Sequence, residues 1–278
     1  MASKPSLNGF ALITGAASGI GQETGFSFAE AGASGVLFAD INKQGAQESA
    51  EMSKKFAKNP EYRAIAVKVD VTDPESVQSM VDTAIKEFGR IDHSVNSAGV
   101  SSSSDAPVSD LSLEDYARIT DTNIKGTMLC VRAVSKAMST QEPLTYEGRR
   151  GSRSLGRGSI VNMGSASSYV GTPGTMSYTT SKHAIIGLTK TAAQDNKKHH
   201  IRVNAICPSW VDTPMMERIL QRKPQLEQVI EKVSPLERMA EPEEVADVIV
   251  FLCSPSASYV NGTGLLVDAG LTLSVHTA

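Results

Sequence analysis

Short apolar runs alternate with longer segments of mixed polarity along the whole chain. GFALIT (9–14), GVLFAD (35–40), AIAVKVDV (64–71) and HSVNSAG (93–99) are rich in Val, Ile, Leu or Ala, and GSIVNMGS (158–165), IRVNAIC (201–207) and GLLVDAG (264–270) repeat the pattern. Near-continuous apolar runs of this length predict strands buried on both faces. The segments 42–58, 74–88, 112–138, 177–198 and 242–253 are long enough to form crossover helices. Pro74 and Pro242 each follow an acidic residue and suit the first turn of a helix. Strands separated by helices predict a mostly parallel sheet covered on both sides. Seven strands in one unbroken alternation, without repeat or linker, predict a single doubly wound α/β domain over residues 1–278. Residues 139–158, STQEPLTYEGRRGSRSLGRG, break the rhythm and predict a mobile surface loop inserted before the fifth strand of that sheet. Its Arg149, Arg150, Arg153 and Arg157 are either solvated, or a clamp for an anionic substrate or partner.

Composition narrows the function classes. A chain of 278 residues with 40% hydrophobic and 21% charged residues is an ordinary globular one, so wholesale disorder is excluded. No run of about 18 apolar residues exists, which argues against a membrane span. A net charge of −3 argues against nucleic acid or an anionic membrane as partner. Cys130, Cys207 and Cys253 lack metal-like or disulfide-like spacing, and the five histidines form no ligand pattern, so no metal is expected. MASKPSLNGF at the N-terminus has no signal-peptide core, and the final HTA matches no common address. The expectation is a reducing, cytoplasmic setting.

Candidate chemistry begins at Thr14-Gly15-Ala16-Ala17-Ser18-Gly19-Ile20-Gly21, directly after the first strand. Gly15, Gly19 and Gly21 would let the backbone turn sharply and approach a pyrophosphate, whose charge the following helix N-terminus stabilises. Asp40 ends the second strand, where a carboxylate reaches the adenosine ribose hydroxyls and repels a 2′-phosphate. The turn holds no Arg or Lys, and Lys43 is the one nearby cation, so NAD is expected over NADP. Asp40 as a cap for the following helix is compatible with that role. Asp70 and Val71, ending the third strand, would contact the adenine, although Asp70 also reads as a turn residue.

Tyr178 and Lys182 are four apart on a predicted helix and share one face. An ammonium beside a phenol favours phenolate, which brings the tyrosine towards the pH range where it exchanges protons. Alone, such a pair arises by chance often enough to be weak evidence. Ser165 strengthens it, thirteen residues before Tyr178 at the carboxyl end of a strand, where ligands bind in such sheets. Asn96-Ser97-Ala98-Gly99 ends another strand, and Asn123 lies in Thr122-Asn123-Ile124-Lys125-Gly126 within a predicted long helix.

With TGAASGIG, NSAG, the Ser-to-Tyr spacing, YTTSK and LVDAG in this order, the chain resembles the short-chain dehydrogenase/reductase family over nearly its whole length. The resemblance implies a Rossmann-type fold with NAD as cofactor, and a catalytic group of Asn123, Ser165, Tyr178 and Lys182. Tyr178 would exchange the proton of an alcohol, Ser165 would hold the substrate oxygen, Lys182 would bind the nicotinamide ribose, and Asn123 would hold a water leading to solvent. Gly15, Ser18, Gly19, Ile20, Gly21, Asp40, Asp70, Val71, Asn96, Ala98, Gly99, Val211 and Thr213 match cofactor-contacting positions, with Tyr178 and Lys182. Two departures stand out: Ser97 replaces the family's second Asn, and Ser209 replaces the Gly after Pro208, which costs backbone freedom near Val211 and Thr213. Thr213 also reads as a simple helix cap.

Residues 213–238 match the family's variable substrate lid. Met215, Met216, Ile219 and Leu220, with Tyr169, Val170 and Thr172 opposite, either line a pocket for a hydrophobic secondary alcohol, polycyclic ones included, or only pack the lid. The Arg-rich insertion resembles filamentous-fungal members that tailor secondary metabolites. The family implies a homotetramer, with a dimer as the alternative. Alternative functions are a cofactor-assisted non-redox step (epimerisation, dehydration or cyclisation) on the same fold, or a non-catalytic NAD-binding protein.

Overall fold

The computed structural model describes residues 7–273. The chain ends read above for targeting signals lie largely outside them. Seven parallel strands form the central sheet: β1 (Phe10–Thr14), β2 (Gly35–Asp40), β3 (Arg63–Lys68), β4 (His93–Asn96), β7 (Gly158–Met163), β8 (Ile201–Pro208) and β9 (Gly264–Val267). Their order is β3-β2-β1-β4-β7-β8-β9. Strand order reverses between β1 and β4, and in open α/β sheets ligands bind at the carboxyl ends beside such a reversal.

The connecting helices are α1 (Gly19–Ala31), α2 (Lys43–Ser53), α3 (Pro74–Phe88), α4 (Leu113–Thr120), α5 (Thr127–Met138), α6 (Met176–Asp195), α7 (Pro214–Arg222), α8 (Gln225–Val233) and α9 (Pro242–Cys253). Pro74 and Pro242 occupy first helical turns as expected, behind the Asp73 cap and the Glu241–Glu244 capping box. One buried apolar layer joins α1 and α9 to the sheet through Phe28, Phe38, Val161 and Ile249. The other face is covered by α3 and α5 through Leu12, Met80, Val134 and Ile160. Each layer has the dry, side-chain-filled character that fixes strand register over a two-sided sheet. Among the described residues, no helix is long and apolar enough to cross a membrane.

Two segments differ from expectation. Residues 112–138, read as one helix, are α4 and α5 separated by a π-helical turn at Asp121–Gly126. Residues 139–158, read as an irregular loop, contain the antiparallel hairpin β5 (Leu144–Gly148) and β6 (Gly151–Gly156). Arg153 lies over the Tyr146 ring at 4.6 Å and donates to the Pro255 carbonyl at 3.1 Å, while Arg157 donates to Gln141 O at 2.8 Å.

Candidate active site

The Gly-rich turn after β1 is shaped by close approach. Gly15 has φ +68, and a Cβ there would lie 2.7 Å from Ala98 N; Gly19 has φ +56. At Gly21 a Cβ would strike the Gly15 carbonyl. The turn therefore lies directly against the Asn96–Gly99 turn after β4, and Ala98 N donates to Thr14 Oγ1 at 3.3 Å. Ser18 occupies the N-cap of α1 without a side-chain cap bond, which leaves the helix N-terminus free of that competitor for a phosphate.

Asp40 lies at the rim of this cradle. Its carboxylate accepts from Ala17 N at 3.0 Å and Asn42 N at 2.9 Å, so it is tied to the Gly-rich turn itself. The cap of α2 is Asn42, which accepts from Gly45 N; Asp40 is not the cap. Asp70 closes its own turn by accepting from Thr72 Oγ1 at 2.7 Å and Thr72 N at 2.9 Å. Those bonds hold its carboxyl below the ordinary range. Val71 is buried against Gly126 of the π-helical turn. Thr213 caps α7 by accepting from Met216 N at 3.3 Å, and its methyl group would lie 3.2 Å from a Cβ at Gly19, so it closes over that glycine. Val211 is buried beside it. Ser209 is not among the non-Gly residues with positive φ, which are His200, Glu237 and Ala269, so the missing glycine strains nothing there.

Ser165, Tyr178 and Lys182 converge at the carboxyl end of β7. Ser165 opens the 3-10 turn Ala166–Ser168, and its hydroxyl accepts from Ser167 N at 3.1 Å. That leaves the hydroxyl proton available to a neighbour, and the Ser165 hydroxyl is close enough to Tyr178 to lower its phenol. Lys182 is buried, donates to Met163 O at 2.9 Å and lies 5.5 Å from the Tyr178 ring centre.

Burial dominates the electrostatics of this group. Burial pushes the Tyr178 phenol above its ordinary value, and the Ser165 hydroxyl only partly offsets this. Burial likewise depresses Lys182, to about 8, so the ammonium beside the Tyr178 ring is held close to the pH at which it loses its proton. Cys207, buried behind the Ser165 turn, is pushed up by the same desolvation.

Asn123 sits in the π-helical turn with three of its four side-chain hydrogen-bond capacities in use. Its Oδ1 accepts from Val100 N at 2.9 Å, and Nδ2 donates to Val100 O and Ser181 Oγ, both at 3.0 Å. These bonds tie the loop after β4 to α6. Asn96 is buried, with Nδ2 donating to Asn162 Oδ1 at 2.8 Å and Oδ1 without a partner. That orphaned acceptor beside the cradle, and the contacts that exclude a Cβ at Gly15 and Gly21, fit a bound dinucleotide.

Sequence reasoning missed Asn162, Ser168 and Ser181, all buried polar residues. Only their place beside Asn96, Ser165 and Lys182 hinted at a role. It also missed Arg222 and Lys223, which bridge α7 to the 101–105 loop. Arg222 donates to the Ser102 and Ser103 carbonyls, and Lys223 pairs with Asp105. The Arg-rich hairpin, in contrast, adjoins the start of β7 while Ser165 adjoins its end, about 20 Å away at a strand rise near 3.3 Å per residue. This rules out the clamp on a substrate at this site.

A family model described as enoyl-(acyl carrier protein) reductase matches residues 15–272. The chain belongs to the short-chain dehydrogenase/reductase family. It is 46% identical to a short-chain dehydrogenase of Penicillium roqueforti, covering 98% of each chain. A second short-chain dehydrogenase, from Neurospora crassa, is 44% identical, covering 97% of this chain and 99% of the relative. Among solved structures, a levodione reductase superposes with a TM-score of 0.86 at 30% identity, covering 96% of this chain and 98% of that one. This family member is accordingly an oxidoreductase that works with a nicotinamide dinucleotide, NAD or NADP.

Proposed function

We propose that the protein is an NAD-dependent dehydrogenase/reductase that interconverts a secondary alcohol and a ketone on a hydrophobic small molecule. The observation that carries this is the convergence of Ser165, Tyr178 and Lys182 at the carboxyl end of β7, beside a dinucleotide cradle rimmed by Asp40. The levodione reductase likeness supports a carbonyl substrate. The bound nicotinamide supplies or accepts the hydride. Ser165, whose acceptor capacity is engaged by Ser167 N, donates to the substrate oxygen and orients it. Tyr178 exchanges the proton with that oxygen. Lys182 holds the ribose, and a cationic oxidised nicotinamide would lower the phenol that burial alone raises. Gly15, Ser18, Gly19, Ile20 and Gly21 cradle the pyrophosphate, and Asp70, Val71, Asn96, Ala98, Gly99, Val211 and Thr213 complete the cofactor contacts. Asn123 keeps the 100-loop docked on α6, so that Lys182 retains its place.

Specificity for NAD follows from Asp40. Its carboxylate is anchored by two backbone N–H groups beside the turn, where it accepts ribose hydroxyls and repels a 2′-phosphate. Residues 213–238 form the substrate lid, with half-buried Met215, Ile219 and Leu220 on one wall and exposed Tyr169 and Val170 after Ser165 on the other. Met216 is buried and anchors the lid rather than lining the pocket. A tailoring role in secondary metabolism, in a cytoplasmic homotetramer, completes this proposal; the likeness to fungal short-chain dehydrogenases supports the first part of it.

Replacing Tyr178 with Phe tests the mechanism. Turnover of a panel of cyclic ketones and secondary alcohols is expected to fall by about 100-fold or more, while NADH binding, read by nicotinamide fluorescence, persists. Unchanged turnover in the variant would sink the proposed proton transfer.

A further inference from the structure

We infer that Ser168 is a positioning residue for the proton-transfer group, its hydroxyl fixing the Ser165 turn to α6 at Lys182. The inference rests on the roles proposed above for Ser165, Tyr178 and Lys182. Ser168 is buried, and its hydroxyl bridges two backbones. It accepts from Ser165 N at 3.1 Å and donates to Lys182 O at 2.8 Å. The donor and one acceptor site of the hydroxyl are thus used, one on each catalytic segment.

The surrounding bonds show why this bridge matters. Ser165 comes two residues after the end of β7 and hangs on a 3-10 turn, not on a strand or a long helix. Tyr178 and Lys182 ride on α6, a separate element. Lys182 Nζ reaches back to Met163 O at 2.9 Å, but that tie uses the very group that must be free to hold a ribose. Ser168 supplies a tie that asks nothing of a reacting side chain. Packing around the turn is tight: a Cβ at Gly164 would fall 2.6 Å from Cys207 Sγ and 3.1 Å from Ser168 Oγ, so only glycine fits beside the hydroxyl bridge. Without the bridge, Ser165 N becomes a buried donor lacking its partner, and the turn is free to shift and find another. A displacement of about 1 Å in a reacting group costs on the order of 100-fold in rate.

The test compares wild type, Ser168→Ala and Ser168→Cys, assayed in reductant with phenanthrenequinone and NADH. Alanine at 168 is expected to lower kcat at least about tenfold while NADH affinity, by fluorescence titration, stays within about twofold. The pH–rate profile is expected to shift to higher pH, because a displaced Ser165 no longer holds the Tyr178 phenol down. Ser168→Cys keeps a weaker donor and falls between the two, and it carries the test if the alanine variant does not fold. Ser53→Ala serves as a control, since Ser53 is buried and bonded to Ala50 O and Tyr62 at another place in the fold. It is expected to lower thermal stability without moving kcat or the pH profile. If Ser168→Ala behaves like that control, Ser168 is merely structural and the inference fails. Loss of NADH affinity in step with kcat would also overturn it, because the bridge reaches Lys182 only at its main-chain carbonyl and leaves the Gly-rich turn and Asp40 untouched. NADH bound by wild type with no turnover of this quinone or of the ketone panel would instead overturn the oxidoreductase reading beneath it.

Discussion

Lys182 is held at an energetic cost. Buried, with one backbone carbonyl as its hydrogen-bond partner, it is depressed from 10.5 to about 8. The sign follows from proton counting: between about 8 and 10.5 the unfolded chain binds a proton that the folded one does not, so stability rises with pH across that window. Below about 8 the full cost is present, roughly 3 kcal/mol as an upper value. Lys182→Met is therefore expected to raise the Tm of the cofactor-free protein at neutral pH. The gain should shrink as pH climbs from about 8 towards 10.5, followed by scanning calorimetry. A gain independent of pH would point to better packing rather than relief of a buried charge. The identity of this lysine was legible in the sequence, because strand end, helix face and spacing are local features that place 165, 178 and 182 on one site. Its charge state was not. Desolvation depends on what the rest of the chain stacks around a side chain, and the Met163 carbonyl that receives Nζ carries no residue signature at all. The same holds for Ser168 and Ser181, whose roles come from backbone atoms brought to them by folding.

At the scale of elements, α7 and α8 are the least anchored part of the site. Each sends one side chain into the buried class, Met216 and Ile230 respectively, whereas α9 buries six residues. Few buried apolar contacts make a segment prone to local opening. What fastens α7 across the cleft is polar: Arg222 on the Ser102 and Ser103 carbonyls, and Lys223 on Asp105. Solvent-exposed bonds of this kind are individually weak and screened by salt. The double variant Arg222→Ala, Lys223→Ala is expected to speed amide hydrogen exchange over 214–233 and raise KM for ketone substrates severalfold, with Tm nearly unchanged. Exchange at wild-type rates would show that apolar packing alone closes the lid. The central strands and α3, α6 and α9 were legible because burial on both faces and helix-cap signals are written locally. The π-helical turn at 121–126 was not, since one extra residue per turn barely disturbs an apolar stripe over 112–138. The hairpin was hidden for a different reason. Its strands TYEG and SRSL have no buried face to impose alternation, and its stability comes from Arg153 lying over Tyr146 and from pairing across the Arg149-Arg150 turn.

For the molecule as a whole, the cofactor cradle is the place where the distant parts of the chain meet. The turn after β1 touches the turn after β4 through Gly15 and Ala98, and touches the start of α7 through Gly19 and Thr213. Asp40 ties the end of β2 to the same turn. A ligand that binds across these joints stabilises the folded state as a unit and the unfolded chain not at all, so its effect on Tm measures its affinity directly. At a hundredfold excess over Kd the gain is about 2.7 kcal/mol, which for a chain of this length corresponds to a Tm rise of about 5 °C. NADH is expected to give that rise at a lower concentration than NADPH, by about tenfold, because the Asp40 carboxylate opposes a 2′-phosphate at short range. Asp40→Ala separates the two jobs of this residue. Loss of the bonds to Ala17 N and Asn42 N should lower the Tm without cofactor, and loss of the charge should bring the NADH and NADPH curves together. Curves that start together in the wild type would mean that Lys43 offsets the carboxylate, and the preference for NAD would fall. Curves that stay apart in the variant would assign the preference to another part of the cradle and leave Asp40 the task of holding the turn.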